Sequence, residues 1–233
     1  MKIKIYADGA NLEEMKAALR TDSVAGFTTN PTLMKKAGVT DYLKFAVDSL
    51  HHIKDKPISF EVFSDDFEEM YVQARKLADL GDNVYVKIPV TNTKGQFSGE
   101  LIKRLDSENI KMNVTAVFTL NQVHAILKNL LSDTPHIISI FAGRIADTGV
   151  DPLPLMMTAL EVIKNRNSHL QLLWASPREV LNVYQADQVG CDIITVTSQL
   201  LNKLSLYNKP LSEFSRETVQ MFFDDAASSG FTL

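Results

Sequence analysis

Eight short runs rich in valine, isoleucine and leucine recur along the chain, and nearly every one gives way to a longer segment whose apolar residues fall at helical spacing. That repeat constrains the fold more than any other feature. The runs are IKIYAD, VAGFTTN, ISFEVF, NVYVKIPV, IKMNVTAV, HIISIFA, LQLLWAS and DIITVT; the helical segments cover residues 12–19, 41–53, 65–80, 98–105, 120–131, 153–165, 177–189 and 198–204. Strands that are apolar on both faces, each followed by a helix, belong to a parallel sheet covered by helices. The 233 residues give about 29 per unit, close to the minimum for a (β/α)₈ barrel, whose usual length is ~250 residues. A doubly wound open sheet is the alternative. The repetition of a single kind of unit favours the barrel, as does the lack of a glycine-rich dinucleotide fingerprint after the first run.

Three helix starts carry their own signals: NLEE at Asn11, TLNQ at Thr119 and SPRE at Ser176 each place a capping side chain three residues before Glu or Gln. Beyond the eighth unit, Val219, Phe222, Phe223 and Ala226 form an amphipathic stripe, which predicts an additional C-terminal helix. The expected organisation is an α/β (β/α)₈ TIM-barrel catalytic domain over residues 1–207, with a helical tail over 208–233 belonging to the same domain. The stripe has to be covered, either by its own barrel or by a neighbouring copy.

Composition excludes several classes of function. A net charge of −4 and a pI near 5.7 argue against nucleic acid or an anionic membrane as partner, so any basic site is local. No apolar run approaches the ~20 residues that cross a bilayer. The single cysteine, Cys191, excludes an internal disulfide and reads as a small core residue; with no signal-peptide pattern at the start, a cytoplasmic location is expected. His51, His52, His124, His136 and His169 show no metal-ligand spacing, so no metal or other cofactor is expected.

Polar residues stand late in almost every strand, which in a barrel is the active-site end. Asp8 ends the first strand and Asn30 the second, Glu61 lies in the third, and Lys87 interrupts VYVKIPVT in the fourth. Asn113 and Thr115 follow in the fifth, Ser139 in the sixth and Ser176 at the seventh. A buried ammonium or carboxylate costs several kcal/mol unless it is paired, so Lys87, Glu61 and Asp8 need one another or a ligand. One ion pair closing the barrel would satisfy a single lysine. Three ionisable groups converging with Asn30, Asn113 and Thr115 point instead to a functional site. Lys87 is its natural nucleophile: burial among Tyr85, Val86 and Ile88 disfavours the ammonium, although nearby carboxylates oppose this. A neutral amine there condenses with a carbonyl, and the resulting iminium draws electrons from an adjacent carbon–carbon bond. Arg144 in FAGRIAD, with Ser176 and Arg178 in ASPRE where the seventh strand turns into a helix, outlines an anion site.

The chain resembles the transaldolase family of class I aldolases, and most closely its short subfamily, which also contains fructose-6-phosphate aldolases. The resemblance is carried by YADGAN, GFTTNPTL, VYVKIPVT, MNVTAVFT, SIFAGRIAD and ASPR, in the family order and spanning nearly the whole chain. It implies Lys87 as the Schiff-base lysine, Asp8 as the acid/base, and Glu61 and Thr115 as holders of a proton-relaying water. It further implies that Asn30, Asn113 and Ser139 bind the hydroxyls of a three-carbon unit, and that Arg144, Ser176 and Arg178 grip a phosphate. Glu61 and Phe141 resemble the transaldolase branch; the aldolase branch typically carries Gln and Tyr at these positions. The implied partners are sugar phosphates and further copies of the chain, in a ring such as a pentamer or decamer. An aldolase releasing free dihydroxyacetone and a non-catalytic sugar-phosphate-binding barrel are the alternatives. ADGAN in place of the commoner DTA or DTG opening, and Pro177 within a segment often read as Ser-Phe-Arg, depart from the family pattern.

Overall fold

A computed structural model describes residues 1–232 of the chain. The β-branched runs form eight strands: β1 (Lys4–Asp8), β2 (Val24–Thr28), β3 (Ile58–Glu61), β4 (Val84–Pro89), β5 (Met112–Val117), β6 (Ile137–Ile140), β7 (Gln171–Trp174) and β8 (Ile193–Thr197). Each pairs in parallel with its sequence neighbours, and β8 returns to β1, closing the barrel that the repeat predicts. Closure leaves no strand edge unpaired.

Side chains alternate between the two faces of each strand. One set, including Phe27, Phe60, Val86, Ile138, Trp174 and Ile194, is wholly buried beneath the helices. The other fills the barrel interior, where Tyr6, Tyr85, Ile137, Leu173, Ala175 and Ile193 form an apolar plug. The ring of Tyr6 lies directly over Gly26, where an added Cβ would come within 2.6 Å of it. Glycine on β2 is what lets a tyrosine fit inside the barrel at this level.

The helices are α1 (Leu12–Leu19), α2 (Pro31–Lys36), α3 (Tyr42–His52), α4 (Phe67–Ala78), α5 (Gly99–Ser107), α6 (Leu120–Leu127), α7 (Ala142–Ala146), α8 (Leu153–Arg166), α9 (Val180–Val189), α10 (Ser198–Lys203) and α11 (Leu211–Ser229). Asn11 caps α1 by accepting from the N–H groups of Glu13 and Glu14, and Thr119 closes a reciprocal box with Gln122 at α6. The third expected cap is corrected. Ser176 adopts a left-handed conformation (φ 59°), and the helix begins only at Val180, where the Asn182 side chain accepts from the N–H groups of Arg178 and Glu179. A residue with positive φ turns the chain out of helical geometry, so 176–179 is a loop. Two short helices, α2 and α7, also interrupt what the sequence reads as strand exits.

The chain divides into two compact units, Met1–Leu201 and Asn202–Leu233. The second contains α11, which exposes Leu211, Phe214, Val219, Phe222 and Phe223 and buries none of its residues. Among the described residues no helix is long and apolar enough to cross a membrane.

Candidate active site

The inward-facing residues above the apolar plug are polar, and they line a cavity of about 440 Å³ at the carboxyl ends of the strands. Lys87 lies on its floor. Register pairs Lys87 with Glu61 on β3 and with Asn113 on β5, so neighbouring strands bring the three residues side by side. Lys87 Nζ contacts Glu61 Oε2 at 3.0 Å and donates to the carbonyl of Thr29 at 2.9 Å, with only 8% of the side chain exposed. The lysine is therefore oriented from two sides while one face of its amine meets the cavity.

Each neighbour is itself held. Tyr42 of α3 clamps the backbone of Glu61, donating to its carbonyl at 2.7 Å and accepting from its N–H at 2.8 Å. Ser139 donates to Asn113 Oδ1 at 2.6 Å, and the Asn113 amide donates to Ser59 at 3.1 Å. Asn30 caps α2 by accepting from Leu33 N–H at 2.9 Å, with Pro31 at the first helical position, and it lines the cavity beside Asp8 and Thr28. Asp8 Oδ1 accepts from Thr28 at 2.7 Å. Burial pushes the Asp8 carboxyl above its usual range; the Lys87 charge and the Thr28 hydrogen bond pull against this rise, and Glu61 adds to it.

A bulge on β5 shapes the far wall. Val114 pairs with Ile138 and Val117 with Ile140, which leaves one extra residue on β5, and Ala116 takes a left-handed φ of 58°. The irregularity adds Ala116 to the lining next to Thr115. Thr115 lines the cavity, and its Oγ1 is buried with no hydrogen-bond partner among the described residues.

At the rim, the backbone of α7 packs onto the loop after β7. An added Cβ on Gly143 would lie 1.5 Å from the Ser176 carbonyl oxygen, so only glycine permits this approach, which places Arg144 and Ser176 on the same cavity wall. Arg144 forms no salt bridge among the described residues and lies over the ring of Phe141, 5.3 Å from its centroid; Phe141 in turn packs against Phe118. Every site residue expected from the sequence lines the cavity except Arg178. Arg178 is engaged by both carboxylate oxygens of Asp147, the Nε–Oδ1 distance being 3.0 Å. Thr28, Thr195 and the Thr29 carbonyl are site groups that the sequence reading missed. Among the described residues no group of three or more His, Cys, Asp or Glu side chains could hold a metal.

Fold and site together define a (β/α)₈ barrel with a buried lysine paired to a half-buried carboxylate at the end where such barrels carry out their chemistry. The chain belongs to the Transaldolase/Fructose-6-phosphate aldolase family, which it matches over residues 5–232. It is 35% identical over 211 residues to a probable transaldolase of Dehalococcoides mccartyi, covering 91% of this chain and 93% of that protein. It is also 33% identical over 231 residues to a probable transaldolase of a Thermoanaerobacter species, covering 99% of this chain and all of the other. Among solved structures, 3-hexulose-6-phosphate synthase from Salmonella typhimurium superposes with a TM-score of 0.58 at 16% identity, covering 85% of this chain and 89% of that one. Dihydrodipicolinate synthase from Rhodopseudomonas palustris gives 0.55 at 14% identity, covering 96% and 79%. At these identities the two structures share the fold alone.

Proposed function

We propose that the protein is a transaldolase that moves a dihydroxyacetone unit from a ketose phosphate, fructose 6-phosphate or sedoheptulose 7-phosphate, to an aldose phosphate through a Schiff base on Lys87. The observation that carries this reading is the buried Lys87 amine, held from two sides in a cavity that it shares with two carboxyls, Asp8 and Glu61, with hydroxyl and amide groups, and with Arg144. Lys87 adds to the ketose C2 carbonyl, and the carbinolamine loses water with proton transfers through a water held by Glu61 and Thr115. The iminium then draws the electron pair of the C3–C4 bond as Asp8 takes the proton of the C4 hydroxyl. An aldose leaves, and the three-carbon unit stays as an enamine. Addition of the enamine to a second aldehyde, with Asp8 returning the proton, and hydrolysis of the new iminium complete the transfer.

Asn30, Asn113 and Ser139 bind the hydroxyls of the retained unit. Arg144 and Ser176 hold the phosphate at the rim, and Arg178 joins them by exchanging Asp147 for it. A buried, raised carboxyl at Asp8 suits a base that works near neutral pH. The test is a coupled assay with fructose 6-phosphate. Turnover that depends on added erythrose 4-phosphate is expected. Release of free dihydroxyacetone at an equal or higher rate without the acceptor would make the protein an aldolase, and no turnover in either arm would leave a binding barrel.

A further inference from the structure

Strand β8 contributes no charged group to the cavity, yet Thr195 lines it and is almost fully buried. Its hydroxyl lies within hydrogen-bonding distance of the Thr28 hydroxyl, and Thr28 donates to Asp8 Oδ1 at 2.7 Å. Register sets the two threonines on either side of β1: Thr195 pairs with Tyr6 across β1–β8 and Thr28 with Asp8 across β1–β2, so Thr28 reaches the carboxyl directly and Thr195 reaches it only through Thr28.

Proton bookkeeping fixes the direction of the chain. Thr28 has one hydroxyl proton, and with Asp8 ionised that proton is committed to the carboxylate. The hydrogen bond between the two threonines must then be donated by Thr195. We propose that Thr195 is a positioning residue for Asp8: it donates into Thr28, which aligns the Thr28 hydroxyl on the carboxylate and stabilises its ionised form. The proposal rests on the role given to Asp8 above.

The charged or titratable groups facing Asp8 are Lys87 from β4 and Glu61 from β3, while β2 and β8, the two strands flanking it, bring only hydroxyls. An oriented O–H dipole interacts more strongly with a carboxylate than with a neutral acid, and donation by one hydroxyl strengthens the donation of the next. Removing Thr195 therefore destabilises the ionised form selectively. Burial already raises Asp8, so loss of the chain moves it further in the same direction.

Thr195→Val keeps the shape and removes the donor; Thr195→Ser keeps the donor. The Asp8 carboxyl is followed by carbon-13 NMR in aspartate-labelled full-length protein, its signal assigned by difference from Asp8→Asn, alongside the pH profile of kcat. In the valine variant the Asp8 titration is expected to move up by about half a pH unit. The ascending limb of kcat should move with it, and serine should restore both. An Asp8 titration unmoved by valine, or moved equally by valine and serine, would overturn the proposal. An Asp8 shift with no sugar-phosphate turnover in any form would strike the assigned reaction and leave the hydroxyl chain standing.

Discussion

Gly143→Ala sets two physical effects against each other. Gly143 is the second residue of α7, and in a helix alanine is ordinarily better than glycine by about 0.8–1 kcal/mol. Here the new methyl would lie 1.5 Å from the Ser176 carbonyl oxygen, and backbone on both sides would have to separate by about 2 Å to restore ordinary contact. Overpacking of this kind costs roughly 1–3 kcal/mol, and a rigid backbone neighbour places it at the upper end. The net loss is then about 2 kcal/mol, or a fall in Tm of roughly 4–8 °C for a domain of this size. The same displacement separates Arg144 from Ser176, and misplacing a binding group by about 1 Å can cost ~10²-fold. Differential scanning fluorimetry should show the fall in Tm. Steady-state kinetics should show kcat/KM for fructose 6-phosphate reduced by about 10²-fold, with a much smaller effect on unphosphorylated fructose. A variant with an equal or higher Tm and unchanged kcat/KM would refute the claim that Gly143 joins the two halves of the phosphate wall.

Phe141→Tyr, alone or with Glu61→Gln, adds a hydroxyl acid to the cavity lining and should raise release of free dihydroxyacetone relative to transfer by about tenfold; an unchanged ratio by product analysis would count against these positions setting the partition. His136 is fully buried, accepts from Met112 N–H at 3.1 Å through Nδ1 and so donates through Nε2 to Asp106 at 2.8 Å. Burial lowers the His136 pKa below its ordinary 6.5, more than the Asp106 hydrogen bond and charge raise it. The unfolded chain therefore binds a proton that the folded chain refuses. The stability from neutral His136 is complete above about pH 6.5 and is lost as pH falls through the folded value. Thermal melts from pH 8 to 5 should show Tm falling below pH 6.5, and His136→Gln should flatten that slope; the same slope in both would remove the assignment. The exposed apolar residues of α11 are expected to join copies of the chain, and light scattering that returned a strict monomer across a wide concentration range would exclude this.

Barrel and floor were legible because they rest on periodicity and on charge. Eight apolar runs followed by helical spacing leave few folds open, and a lysine among β-branched residues cannot be buried without a reason. What escaped the sequence depends on backbone geometry. Helices α2 and α7 have six and five residues, too short to show a helical period, although the Asn30–Pro31 pair does signal a helix start. The SPRE pattern suggests a cap at Ser176, but positive φ there delays the helix to Val180, where Asn182 accepts from the N–H groups of Arg178 and Glu179. The bulge at Ala116 and the Thr29 carbonyl that holds Lys87 are main-chain features with no side-chain signature. Thr28 and Thr195 read as ordinary strand formers, because threonine suits a strand whether or not its hydroxyl is used. Arg178 was placed near the site by its position in sequence; Asp147, one turn after Arg144, is what holds its guanidinium.

The central claim is that Lys87 forms an imine with a ketose phosphate. Borohydride added during incubation with fructose 6-phosphate reduces such an imine to a stable secondary amine, and peptide mass mapping locates it. The account predicts a single adduct on the peptide containing Lys87, absent without substrate and absent in a folded Lys87→Met protein that has lost turnover. An adduct on a different lysine, or none in a preparation that is turning over, would contradict it.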